Sequence, residues 1–183
     1  MTRLPLTTEY ALLGFLREGP MHGYQIHRRL SDPAGIGLVL RLKRSQLYAL
    51  LKRLEKDGYV TTVLSPQDRR PPRNVFQLTR AGEGKFLDWL QSPVLHGREI
   101  RLHFLAKLYF AQREGPQVVQ RLIERQRSVC QNWLAAQQAI DAPPPGNQSY
   151  EWLVHEFRQA QIQAVLTWLD TCQRALAPAA SNI

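Results

Sequence analysis

The sequence predicts a mostly α-helical fold with one small β-hairpin, laid out as two successive domains. Three features lead there. Leucines recur at helical spacing between Arg44 and Lys56, two β-rich runs follow, and beyond Ser92-Pro93 the pattern is almost wholly helical. The 183 residues suffice to bury a real core, and a hydrophobic content of 44% is ordinary for a globular chain.

Each element has its own signal. Thr7 or Thr8 is expected to cap a first helix carrying Leu12, Leu13, Phe15 and Leu16, which stops at Gly19-Pro20. A short second helix is predicted over residues 22–30, with Ile26 and Leu30 inward, before the turn Ser31-Asp32-Pro33-Ala34-Gly35. In the third helix Leu47, Leu50, Leu51 and Leu54 fall at i, i+3, i+4 and i+7, forming one continuous apolar stripe. Gly58 is placed for a left-handed cap at its end. The period then changes. Residues 59–64 and 74–78 read as strands, joined by a polar loop over 65–73 that holds Pro66, Pro71 and Pro72. Thr79 caps a fourth helix ending near Gln91, without a capping box because Gly82 stands where glutamate would be.

Helices are predicted over residues 99–112, after Gly115-Pro116, and over about 149–176, with Ala142-Pro143-Pro144-Pro145-Gly146 as an interruption. The long helix after Pro116 aligns Val119, Leu122, Ile123, Gln126, Val129, Cys130, Trp133, Ala136 and Ile140. The last aligns Leu153, Phe157, Ala160, Ala164, Trp168 and Cys172 in three- and four-residue steps. Such seams suit helices that pair, either within one chain or between two copies. Their apolar surface is more than a monomer of this size would cover, which favours a homodimer. Leu122, Val129, Trp133, Phe157, Ala164 and Trp168 are the expected dimer contacts.

Charge separates the two halves. The chain carries a net +9, and residues 1–98 hold sixteen of its lysines and arginines against eight carboxylates, whereas residues 99–183 are nearly neutral. Between residues 41 and 73 stand Arg41, Lys43, Arg44, Lys52, Arg53, Lys56, Arg69, Arg70 and Arg73 against Glu55, Asp57 and Asp68. A solvated surface explains most charge runs, but a basic excess confined to one half favours a nucleic-acid face. Two cysteines, Cys130 and Cys172, without metal-site spacing, point to a reducing cytoplasm. No apolar stretch approaches membrane-spanning length, and the N-terminus lacks a signal-peptide core.

A helix with one leucine stripe and one basic, small-polar face can seat on its own domain and enter a major groove of double-stranded DNA. Ser45 and Ala49 allow close approach, while Gln46 and Arg53 are candidate readers of adenine and guanine edges. Lys43, Arg44, Lys52 and Lys56 suit phosphates, and Tyr48 suits either a phosphate or partial burial. The loop with Arg69, Arg70 and Arg73 then acts as a wing on backbone or minor groove.

Taken together, these segments resemble the PadR-type transcriptional regulators. The resemblance runs through Leu6-Thr7-Thr8-Glu9-Tyr10-Ala11-Leu12-Leu13-Gly14, Gly19-Pro20-Met21-His22-Gly23-Tyr24, Ser45-Gln46-Leu47-Tyr48-Ala49-Leu50-Leu51-Lys52-Arg53-Leu54-Glu55-Lys56-Asp57-Gly58 and Arg73-Asn74-Val75-Phe76-Gln77-Leu78-Thr79-Arg80-Ala81-Gly82. It implies a winged helix-turn-helix over residues 1–92, a C-terminal helical dimerisation domain over 99–177, and a flexible tail over 178–183. It further implies a homodimer on an inverted-repeat operator, with repression relieved by a small effector, in a longer-tailed branch some of whose members answer to phenolic acids. Lys43 departs from the hydroxyl residue common at the start of the recognition helix, which leaves that start open by a turn.

Other functions have thinner support. No HExxH, Cys/His cluster or Gly-rich phosphate loop marks an enzyme, and no cofactor is expected. His96, Glu99 and His103 can share a helical face, but surface or packing roles are commoner for such residues and no metal is expected. A helical adaptor or an RNA binder is the other alternative. For the effector, Trp133, Tyr150, Trp152, His155 and Trp168 are candidate pocket residues, with Lys107 to counter a carboxylate. Core or dimer packing is the commoner use of tryptophans at helical spacing.

Overall fold

A computed structural model describes residues 6–67, 70–140 and 149–176 of the chain. Ten labelled elements follow one another: α1 (Leu6–Arg17), β1 (Met21–His22), α2 (Gly23–Leu30), α3 (Arg44–Lys56), β2 (Val60–Gln67), β3 (Arg70–Leu78), α4 (Arg80–Gln91), α5 (Leu105–Glu114), α6 (Pro116–Gln138) and α7 (Tyr150–Ala175). The expected tail over 178–183 lies outside the described residues.

The first helix starts at Leu6, one residue before the expected caps. Thr7 and Thr8 are buried within it, so neither serves as an exposed cap. The third helix begins at Arg44 after all, because Lys43 takes an extended conformation (φ −72°, ψ 148°) as its N-terminal boundary. In place of a hydroxyl cap, the Gln46 side-chain oxygen accepts from the Lys43 N–H at 3.0 Å. Gln25 does the same for the His22 N–H at 2.7 Å, so α2 and α3 open on the same device. Gly58 ends α3 with φ at 77°, the left-handed geometry that favours glycine. Thr79 caps α4, accepting from the Gly82 N–H at 3.1 Å.

The sheet is antiparallel in the order β1-β3-β2. Its strands correct the sequence reading of the hairpin. Ser65–Gln67 and Arg70–Arg73 were expected in a loop but lie in strands, paired Ser65 to Arg73 and Gln67 to Arg70. The prolines are tolerated for an identifiable reason. Pro66 falls at a register irregularity between Ser65 and Gln67, while Pro71 and Pro72 lie on β3 beyond the two residues that β1 pairs. The strand β1 itself, Met21 opposite Phe76 and His22 opposite Val75, was not anticipated.

The core runs without interruption from α1 into α6. Phe15, Phe86, Phe104 and Phe110 are fully buried. Phe110 of α5 meets Phe15 at 5.4 Å and Phe86 at 5.6 Å between ring centroids, both edge-on. Arg17 adds a paired link, donating to both Glu114 carboxylate oxygens at 2.7 and 3.0 Å and pairing with Glu83. Thus α5 packs directly onto α1, one of the helices against which α3 rests. The helix expected over 99–112 opens irregularly, through a 3-10 turn at Gly97–Glu99 and a π turn at Ile100–Phe104. Among the described residues, no helix is long and apolar enough to cross a membrane.

Candidate nucleic-acid interface

Helix α3 buries Leu47, Leu50, Leu51 and Leu54. At about 100° per residue, Ser45, Ala49, Lys52 and Lys56 lie directly opposite that stripe. All four are exposed. Gln46 and Arg53 fall on one flank of the face, and Arg44 and Tyr48 on the other. The sequence expected one groove-facing set; the structure divides it.

Three members of that set have partners of their own. Gln46 holds the Lys43 N–H, so its side-chain oxygen is engaged at the start of the helix. Arg53 forms an ion pair with Glu9 of α1, whose side chain is only 9% exposed. Tyr48 is 37% exposed and lies over the backbone of Gly23, where a Cβ would stand 2.7 Å from its ring. That contact explains why glycine opens α2.

Beside this flank is a cleft of about 460 Å³, lined by His22, Tyr24, Arg44, Tyr48 and Asn74 among others. His22 Nδ1 donates to the Asn74 carbonyl at 3.1 Å, and its ring stacks on Tyr24 at 5.5 Å. His22, Tyr24 and Asn74 were missed because α2, α3 and β3 meet only in three dimensions. The one local signal was a glycine between two ring-bearing residues. Of the wing arginines, Arg70 and Arg73 belong to β3, and Arg69 lies outside the described residues.

Residues 12–88 match the model of the transcriptional regulator PadR-like family, and residues 100–177 match that of the virulence activator alpha C-terminal domain. The first half of the chain thus carries a PadR-like domain. By its description that domain is one of transcriptional regulators. A curated relative, the negative transcriptional regulator PadR of Bacillus subtilis, is 30% identical over 102 residues, which are 56% of this chain and 55% of that protein. The chain thus spans about half the length of the curated relative that it matches. Among solved structures, Bacillus subtilis PadR in complex with operator DNA is 25% identical with a TM-score of 0.47, covering 90% of this chain and 96% of that one. The PadR-like regulator BC1756 of Bacillus cereus is 18% identical with a TM-score of 0.46, covering 96% and 99%.

The helical half of this PadR-like chain sorts the expected dimer and effector residues by burial. Leu122 is 2% exposed inside its own chain, which removes it from any surface for a second copy. Val129, Trp133 and Trp168 are half-buried, and Trp168 meets Phe104 edge-on at 5.9 Å. By contrast Phe157 is 65% exposed, and Ala164 is exposed beside it on α7. Helix α7 leans on α6 through Ile162, Val165, Leu166, Leu169 and Cys172, while Leu153, Phe157, Ala160 and Ala164 face outward.

Lys107 was expected to meet a ligand carboxylate. It is instead 3% exposed and donates to the Trp89 carbonyl and, at 2.8 Å, to that of Ser92. Its charge serves the carbonyl end of α4 rather than a cavity. Burial pulls its pKa down to about 8, against the opposing pull of Glu99. His155 donates from Nε2 to the Gln137 carbonyl at 3.1 Å, tying α7 to α6. Trp133 does line a groove, of about 740 Å³, whose other walls include His96, Arg98, Ile140, Arg158 and Ile162. The cations of that groove are Arg98 and Arg158. Among the described residues no cluster of three or more His, Cys, Asp or Glu is placed to hold a metal ion.

Proposed function

We propose that this PadR-like chain is a cytoplasmic transcriptional repressor that binds an inverted-repeat operator in duplex DNA as a homodimer. The observation that carries the reading is the two-faced α3: four leucines inward, and Ser45, Ala49, Lys52 and Lys56 exposed together on the far side. A face of that width, with small residues between long cations, fits a major groove. The β2–β3 ribbon is the wing, and its sequence holds Arg69, Arg70 and Arg73. Lys43, Arg44 and Tyr48 border it. Repression is supported by the Bacillus subtilis relative, which is named a negative transcriptional regulator.

In this reading residues 1–92 form the DNA-binding domain and residues 99–177 the dimerisation domain. Tyr150, Leu153 and Phe157, at 83%, 54% and 65% exposure, give α7 an apolar stripe that a second copy would cover. The groove beside Trp133 is the effector site. An indole wall with Arg98 and Arg158 nearby suits a small aromatic acid, the phenolic class included.

The test is an electrophoretic shift of duplexes from the native promoter region across a salt series. Counterion release makes specific binding fall steeply as salt rises. Absence of any shift at low salt refutes the reading. Release of the bound duplex by aromatic acids tests the effector, and no release by any of a panel of them removes it.

A further inference from the structure

Arg53 is exposed over 44% of its side chain, on the flank of α3 and in its last third, yet its guanidinium pairs with the nearly buried Glu9 of α1. We infer that Arg53 is a positioning residue: with Glu9 it forms a strut that sets the tilt of α3 on α1, and it does not read bases. The inference rests on the DNA-binding reading above and changes the role of one residue within it.

Glu9 sits in the first turn of α1, where the helix N-terminus also favours a negative charge. Were Arg53 to swing toward a base edge, a carboxylate only 9% exposed would lose its counter-charge, the costly half of breaking a buried pair. The leucine stripe seats α3 on the core, and the Arg53–Glu9 pair adds a polar tie on its flank. Ser45 lies eight residues before Arg53, about 12 Å along the helix, so a tilt of roughly 10° pivoting at Arg53 shifts it by about 2 Å. Ala49, midway between them, moves by about half as much. Fixing Arg53 therefore fixes how the small residues enter the groove.

Duplexes selected from a random pool by the unaltered chain give the reference preference. Arg53→Ala and Glu9→Gln should each weaken the best duplex by about tenfold, and the double variant by little more than either alone, as coupled partners do. The loss should be spread over the site and be the same for both variants, with no single base position singled out. The inference is overturned if Arg53→Ala flattens one position of the site while Glu9→Gln leaves it intact, or if the two losses multiply. Arg53→Lys keeps the charge without the planar fork and carries the comparison if Glu9→Gln fails to fold. A thermal-unfolding cycle on the same variants needs no DNA; absence of coupling there also overturns the strut. Failure of the unaltered chain to select any sequence speaks against DNA reading itself, and the thermal cycle still decides the strut.

Discussion

Lys107 of α5 holds the carbonyl of Ser92 at 2.8 Å while its ammonium stands 4.8 Å above the ring of Trp89, so one buried cation closes the end of α4. The arrangement has a pH signature. An unfolded lysine titrates near 10.5, whereas burial holds this one at about 8, so between those values the unfolded chain binds more protons. Stability linked to Lys107 should therefore rise with pH across that window, by up to about 1.4 kcal/mol per unit. Lys107→Met should lose this slope and, by stranding two carbonyls, be less stable at pH 7. Urea unfolding of both proteins from pH 7 to 10 measures it; equal slopes would show that the cation carries no such linkage.

Gln126 is fully buried, accepting from the Val94 N–H at 2.8 Å and donating to the Val94 carbonyl at 3.2 Å. It completes, from α6, the backbone pairing that the segment after α4 lacks. Gln126→Leu leaves both groups without partners and should cost about 2–4 kcal/mol in chemical denaturation. Gln126→Glu, which keeps only the acceptor, should also destabilise the chain.

Gly23 has no room for a methyl group beneath Tyr48. Gly23→Ala should lower stability by about 1–3 kcal/mol through forced repacking. Combining it with Tyr48→Ala should recover part of that loss. If the double variant is no better than Gly23→Ala alone, the ring is not what excludes the methyl.

Lys52 and Lys56 stand opposite the leucine stripe. Replacing either with alanine should weaken binding to all duplexes alike and reduce the salt slope by about 1. Arg70→Ala in the wing should behave the same way. A salt titration of fluorescence anisotropy separates this outcome from a loss of sequence preference.

Phe157 is the large apolar residue at the middle of the outward stripe of α7. Phe157→Glu should convert a dimer to a monomer in sedimentation at micromolar concentration without unfolding the chain. An unchanged dimer would direct attention to another surface.

Residues 44–56 were legible because their leucine spacing depends only on local sequence, and α3 occupies those bounds. Strand β1 was not, since two residues become a strand only when Phe76 and Val75 arrive to pair with them. The two strands of the wing were read as too short because prolines normally mark loops, whereas a ribbon open on one side tolerates them. In α7 the sequence holds two apolar stripes, Leu153-Phe157-Ala160-Ala164 and Ile162-Val165-Leu166-Leu169, and periodicity does not say which one meets α6. Of the site, the outward face of α3 was evident from composition. The pairings of Gln46, Arg53 and Lys107 were not, because each depends on a group brought from elsewhere in the fold.

The prolines of the β2–β3 ribbon have one more effect. Past the Val75 position, no described strand covers the far side of β3, and an uncovered edge can recruit a strand from another molecule. Pro71 and Pro72 have no N–H to offer there, so the edge cannot extend a regular ladder. An edge built this way is a poor template for a strand from a second molecule.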